Sequence, residues 1–315
     1  MKGILRKIFF EEAAISEYVT ITLNEKARER VYLETKNCML DISQTHWVLS
    51  LVPVVFGIWV EKKADIIALE QELTYTIYFK DSEAGNKKTE PCILAAVALD
   101  FLDKIEEKNG TFFLLKQVKS SIYHVHFVKL WMLFFRYYKK PELSFNKFKS
   151  IVAAFSYPRK VRLVSFGQGK DYNIFPMDFA GEIVSCNRFV FGLRHTNRTL
   201  QKIIETKKIV VSEIPFKYKE AIYQLGRHHL SNPPSPDSLP FEVFKSEIFG
   251  FYIPAWANSY NEIKITKAMN VGSHMLLWGE SVNEKEVQAS SGHLFHIHFL
   301  LYLHQKRKGF GYLPA

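Results

Sequence analysis

The chain has 315 residues, 47% of them hydrophobic and 23% charged, enough apolar material for two domains of ordinary size and too much for wholesale disorder. A formal net charge of +10 suits anionic partners, yet Lys and Arg fall in short pairs and triplets, so a solvated basic surface is expected rather than a nucleic-acid footprint. Three widely spaced cysteines (Cys38, Cys92 and Cys186) argue against a disulfide framework or a zinc site and fit a reducing, cytoplasmic setting.

In chain order, Met1 to Lys7 is basic, but Glu11 and Glu12 interrupt the short apolar stretch behind it, so no signal peptide is expected. Residues 18–23, 30–33, 52–59 and 74–79 are rich in β-branched and aromatic residues and read as strands. Between the last two, Ala64 to Glu72 has a helix-favouring composition. Asp81 to Pro91 is polar, contains Gly85-Asn86 and reads as a loop. Ile93 to Glu107 reads as a helix and Thr111 to Val118 as a strand; from His126 to Tyr138 a strand passes into an apolar helix. The apolar runs Trp47–Val60 and Phe127–Phe135 are too short to span a bilayer, and no membrane association is expected.

The second half opens on a helix, Asn146 to Phe155, followed by a strand at 162–166 and a turn at Gly167-Gln168-Gly169-Lys170-Asp171. Strands at 173–175 and 188–193, a helix at Thr199–Glu205 and a strand at 209–214 come next. Leu230 to Leu239, with Pro233, Pro234 and Pro236, is a loop or lid. Segments 251–257 and 263–267 precede a final strand, His274 to Glu280. Short strands with few helices imply a mainly β protein with peripheral helices (α+β), a barrel rather than a doubly wound sheet.

The two halves echo each other. Val55-Phe56-Gly57 returns as Val190-Phe191-Gly192 at an offset of 135, and His124-Val125-His126-Phe127 as His296-Ile297-His298-Phe299 at 172. Asp41-Ile42 matches Asn173-Ile174 at 132, and the segment from Gly110 to Leu115 matches that from Gly272 to Leu277 at 162. Four matches in order point to one unit copied once, far longer than a solenoid repeat. Two tandem domains are expected, 1–142 and 143–315.

Few residues carry chemistry by pattern. No Gly-x-Gly-x-x-Gly, P-loop, Gly-x-Ser-x-Gly or His-Glu-x-x-His occurs, and no carboxylate pair stands out. The i, i+2 histidine pairs lack a third ligand, so packing is the expectation over metal binding. The turn Arg194-His195-Thr196-Asn197-Arg198-Thr199 does offer cations, hydroxyls and backbone N–H groups at a helix start, the set a phosphate needs. The plain alternative is that Asn197 or Thr199 is an N-cap and the arginines are solvated. The matching turn of the first half, Val60-Glu61-Lys62-Lys63-Ala64-Asp65, has no hydroxyl and partly cancels its own charge, so a single site is expected.

From Arg162 to Val282 the chain resembles the flavin reductase-like, FMN-binding split-barrel family. Asn173, Ile174, Phe175 and Met177 stand at that family's flavin-facing segment, and Ser185, Cys186 and Asn187 at the lead-in to its next strand. Arg194, His195, Thr196, Asn197 and Thr199 stand at its turn before a helix, and Gly272-Ser273-His274 at its late Gly-Asp-His strand. The resemblance implies two tandem split β-barrel domains forming an intrachain pseudo-dimer. It also implies non-covalent FMN held by the residues just named, His274 included, and capped by His46, Trp47 and Trp59. NAD(P)H is the implied co-substrate, with electrons passing to or through flavin; a further homodimer is left open. The alternative is a non-enzymatic binding or interaction protein that keeps the fold, motivated by Phe175-Pro176 standing where the family has small residues.

Overall fold

A computed structural model describes residues 18–23, 27–81, 92–289 and 292–309. The basic N-terminus and the Gly85-Asn86 loop lie outside the described residues. The first half supplies β1 (Tyr18–Leu23), β2 (Glu29–Glu34), β3 (Met39–Asp41), β4 (His46–Leu51), β5 (Val54–Val60), β6 (Thr74–Asp81), β7 (Ile93–Glu107) and β8 (Gly110–Ile122). The second supplies β9 (Arg159–Lys160), β10 (Arg162–Phe166), β11 (Asn173–Met177), β12 (Ala180–Ile183), β13 (Arg188–Arg194), β14 (Lys208–Glu213), β15 (Val243–Lys245), β16 (Tyr252–Pro254), β17 (Ser259–Asn270), β18 (His274–Glu286) and β19 (His293–His298). Helices are α1 (Lys63–Glu70), α2 (Phe127–Leu133), α3 (Phe145–Ala154), α4 (Leu200–Thr206), α5 (Lys219–Gln224) and α6 (Phe299–Arg307). The protein is mainly β, with peripheral helices and two large antiparallel sheets.

Both large sheets have seven strands, in the orders β3-β2-β6-β7-β8-β5-β4 and β11-β10-β14-β17-β18-β13-β12. Each strand of one has its counterpart at the same place in the other, and α1 and α4 occupy the same connection. The register agrees as well. Gly57 lies opposite Leu114 and Gly192 opposite Leu276, so the sequence offsets of 135 and 162 carry one cross-strand pair onto the other.

One expected helix is a strand. Ile93–Glu107 forms β7, paired with β6 on one side and β8 on the other. Its Ala and Leu content favours helix locally, but the two flanking ladders satisfy its backbone on both edges and override that weak preference. The strand expected to end at Glu280 continues to Glu286, its length set by the partner β17.

The halves meet through β4. Leu49 is fully buried in a cluster with Val55, Trp59, Phe112 and Leu114 of its own half and Ile183, Val190, Leu276 and Trp278 of the other. Backbone approaches backbone here: a Cβ on Gly192 would stand 2.0 Å from the Leu49 carbonyl oxygen. A Cβ on Gly181 would meet the Trp47 indole at 2.3 Å. The glycine in the Val-Phe-Gly echo therefore has a different duty in each half, since Gly57 makes room for Phe112 of its own sheet.

A helical layer joins the halves a second time. Leu130, Leu133 and Phe134 of the α2 region, Phe148 and Val152 of α3, and Phe299, Leu300 and Leu303 of α6 form one buried cluster. Past the expected 142/143 boundary, α3 packs on β7 and β8 of the first sheet. In the His-x-His-Phe echo the second histidine is a helix cap: Nδ1 of His126 accepts from the Val128 N–H at 3.3 Å, and Nδ1 of His298 from the Leu300 N–H at 3.2 Å. β1, from the start of the chain, pairs along its whole length with β19 near the end.

Replacing Gly192 with Ala should therefore lower the unfolding free energy by about 1–3 kcal/mol, the range for an overpacked core. Gly226→Ala, at a site with nothing within 4 Å of a new Cβ, should be close to neutral. Urea unfolding curves check both, and equal midpoints for the two variants would contradict this seam.

Candidate functional site

The turn at 194–199 is built as an Asx-type helix start. Asn197 Oδ1 accepts the Thr199 N–H at 2.8 Å, and the Asn197 carbonyl accepts the Leu200 N–H at 3.1 Å. Across from it on β11, Asn173 Nδ2 donates to Thr199 Oγ1 at 2.6 Å and to the His228 carbonyl at 3.0 Å. The short 3₁₀ segment Leu225–His229 closes over this pair. His228 Nδ1–H donates to the Ile174 carbonyl at 2.9 Å, and the His229 carbonyl takes the Arg198 N–H at 3.0 Å.

The His229 ring has one consistent tautomer. Its Nε2–H donates to the Pro176 carbonyl at 2.8 Å, which leaves Nδ1 to accept from Asn197 Nδ2 at 2.9 Å. Burial keeps this ring neutral by lowering its pKa. The inward donors of the turn are thus spent on the protein's own chain, while Arg194, Thr196 and Arg198 are exposed. Phe175 is fully buried with its ring centroid 4.7 Å from that of His229, and Ile174 and Met177 are also core residues.

His195 and His274 lie at the seam between the halves. Ser273 N–H donates to the Val52 carbonyl at 2.8 Å, and Ser273 Oγ accepts the Val52 N–H at 3.0 Å. Ser273 Oγ also lies 2.8 Å from His274 Nδ1 and 3.2 Å from Ser50 Oγ. His195 Nε2–H donates to the Gly272 carbonyl at 2.9 Å. Gly272 has φ 96°, and a side chain there would strike Val52 and Pro53 at 2.6 Å, so the Gly-Ser-His piece is shaped to receive the β4–β5 turn.

Ser185, Cys186 and Asn187 sit at the other end of β13, roughly 20 Å from Arg194 at the rise of an extended strand. Ser185 Oγ accepts from Trp59 Nε1–H at 3.2 Å, and Asn187 Nδ2 donates to the Ser281 carbonyl at 2.9 Å. Burial pushes the Cys186 thiol up to about 11, so it is not a poised thiolate. The residues singled out from the sequence therefore gather in three places: Asn173, Ile174, Phe175, Asn197 and Thr199 in one, His195 and His274 in a second, and 185–187 in a third. Of the expected cover residues, Trp59 attends the third group and Trp47 covers Gly181.

His46 instead lines a cavity of about 670 Å³ between the halves, together with Trp47, Tyr157, Arg159, Arg162 and Asp178. Its Nδ1–H donates to the Ile42 carbonyl at 2.8 Å, and burial holds its pKa down at about 4. Arg159 reaches Asp178 through Nε at 3.1 Å and Nη2 at 3.0 Å, with its guanidinium 3.7 Å over the Phe155 ring. Arg159 Nη1 is buried and has no hydrogen-bond partner among the described residues. Burial alone would raise the Asp178 carboxyl, but the Arg159 charge and the His296 hydrogen bond outweigh it and hold it well below the usual range. Burial likewise opposes ionisation of Glu213, yet Arg162 at 2.6 Å and Lys160 at 2.6 Å bring it down to about 2.

The run Arg159-Lys160-Val161-Arg162 was the available sequence signal for this cavity. It reads as solvated charge because its partners Asp178, Glu182 and Glu213 are distant in sequence. Among the described residues no cluster of His, Cys, Asp and Glu is placed to hold a metal ion.

No family model and no curated protein matches the sequence. Among solved structures, an NADH:FAD oxidoreductase from Streptomyces globisporus is 16% identical with a TM-score of 0.43, covering 50% of this chain and 90% of that one. An FMN-binding protein from Thermus thermophilus is 19% identical with a TM-score of 0.37, covering 42% and 72%. The flavin reductase component of a bacterial two-component tryptophan halogenase is 12% identical with a TM-score of 0.40, covering 46% and 93%.

Two buried histidines give the protein a defined acid response. His46 and His274 are both held at about 4 in the fold, His46 by burial and His274 by burial and then the Arg194 charge. In the unfolded chain each titrates near 6.5, so between about 6.5 and 4 the unfolded state binds more protons. Stability should fall with pH across that window, by up to about 1.4 kcal/mol per pH unit for each histidine. Urea midpoints at a series of pH values check this; a His46→Gln/His274→Gln variant should show a flatter slope.

Proposed function

We propose that the chain is a flavin-binding protein made of two tandem units of the split-barrel kind, with FMN lying in the cavity between the halves. The observation that carries this reading is the cavity itself. Its volume of about 670 Å³ falls in the usual range for a small-molecule site, and both halves line it. Trp47 and Tyr157 supply aromatic surface, and the unpaired Nη1 of buried Arg159 is a charged donor that an anionic oxygen would satisfy. The turn at 194–199 fits a phosphate less well, because Asn173, Asn197 and the Arg198 N–H already hold the 225–229 segment.

A bound flavin supplies the redox chemistry, accepting electrons from NAD(P)H and passing them to an acceptor. In this reading Arg159 binds the phosphate, the Trp47 and Tyr157 rings orient the ligand, and neutral His46 offers Nε2 as an acceptor. The second half's own candidates, from Asn173 to His274, hold the fold together around the ligand. A second reading, a non-enzymatic binding or interaction protein, is favoured by the charge balance: Arg159, Lys160 and Arg162 each face a carboxylate already.

Titration with FMN, followed by flavin fluorescence quenching, separates the readings. The protein should quench one equivalent, and Arg159→Lys, which keeps the charge beside Asp178 but loses Nη1, should bind about tenfold more weakly. An Arg194→Ala/Thr199→Ala variant should bind as the parent does. If the turn variant alone loses binding, the phosphate sits at 194–199 and the 225–229 segment gives way. Absence of both quenching and thermal stabilisation by FMN would leave the non-enzymatic reading standing.

A further inference from the structure

Flavin binding leaves one surface without a role. The helix α2 continues through a π-helical turn, Phe134–Tyr138, and its inner side is sealed into the helical layer by Leu130, Leu133 and Phe134. On its outer side Phe127, Val128, Trp131 and Phe135 are 61%, 51%, 45% and 41% exposed. At 3.6 residues per turn these four fall within about a third of the helix circumference, so they form one strip. At 150–250 Å² for an aromatic side chain, the exposed apolar area is on the order of 400 Å².

The strip is built rather than frayed. The Trp131 and Phe135 ring centroids are 4.2 Å apart, Phe127 packs edge-on against Phe145 at 5.7 Å, and Lys139 Nζ stands 5.3 Å above the Phe135 ring. Its surroundings are strongly cationic. Between Tyr123 and Ser150 stand Lys129, Arg136, Lys139, Lys140, Lys147 and Lys149 against a single acid, Glu142. Half of the chain's net charge of +10 therefore resides in this segment.

We infer that this face docks on an anionic lipid bilayer, lying on its surface with the aromatic strip in the headgroup region and the lysines among the headgroups. Charge decides the occupant. A second copy would bring two like-charged segments together, whereas an anionic bilayer attracts both the lysines and the aromatic strip. The strip stands on the convex outside of a helix, and a fluid surface accepts a convex shape without a matching groove. Among the described residues no helix is long and apolar enough to cross a membrane, so the association is peripheral. It departs from the expectation of no membrane association, which was drawn from apolar runs too short to span a bilayer.

The test is co-sedimentation of the full chain with vesicles of phosphatidylcholine alone and with about 30% phosphatidylserine. Binding should require the phosphatidylserine and weaken as salt is raised. Trp131→Ser/Phe135→Ser and Lys139→Glu/Lys140→Glu should each weaken it at least about tenfold, with circular dichroism and melting temperature unchanged. No binding to the anionic vesicles, equal binding to both kinds, or undiminished binding by the charge-reversed variant overturns the proposal. So does a dimer in sedimentation velocity that Trp131→Ser/Phe135→Ser converts to monomer. FMN titration of the same samples is a separate readout, and its failure leaves the vesicle result intact.

Discussion

The two halves meet backbone to backbone, where β4 of one half lies on β13 of the other at Gly192, with no room for a side chain there. Everything else about the joint follows from that distance. With Gly192 holding the strands together, Leu49 reaches a core drawn from both halves, Trp47 lies on Gly181, and the turn after β4 falls onto Gly272 and Ser273. The two sheets then share an apolar interior and cannot be parted without exposing it.

Much of the architecture could be read from the residues, and the reason is periodic. The echoes mark positions where backbone geometry admits few alternatives: a glycine beneath a crossing ring or strand, and a histidine that caps a helix. Ile93–Glu107 was illegible for the opposite reason, since its alanines and leucines state a helical preference that only the finished ladders of β6 and β8 reverse. The candidate site was legible as chemistry but not as geometry. Asn173, Asn197 and Thr199 do meet, yet His228 and His229, which decide what they bond to, arrive from a segment that carries no local sign of its destination.

The polar interior explains why the cavity is hard to see in the sequence. Arg159 and Arg162 are buried, their partners Asp178 and Glu213 are partly so, and such charges persist only when paired and hydrogen-bonded. Each pair is formed by residues well separated in sequence, so neither partner stands out alone. Pairs of this kind add little net stability compared with apolar packing, but they fix orientation, because a shifted strand would strand a charge. The buried ions thus hold the register of β9, β10 and β14 around the cavity.

The pairing of β1 with β19 has a consequence for how the chain is assembled. Every other described strand lies between these two in sequence, so this contact carries a large loop-closure cost. During synthesis β1 is an open edge waiting among sheets already forming, while the last helix, α6, completes the layer that holds both halves. Until β19 forms, β1 presents an unsatisfied edge of the sort that recruits other chains.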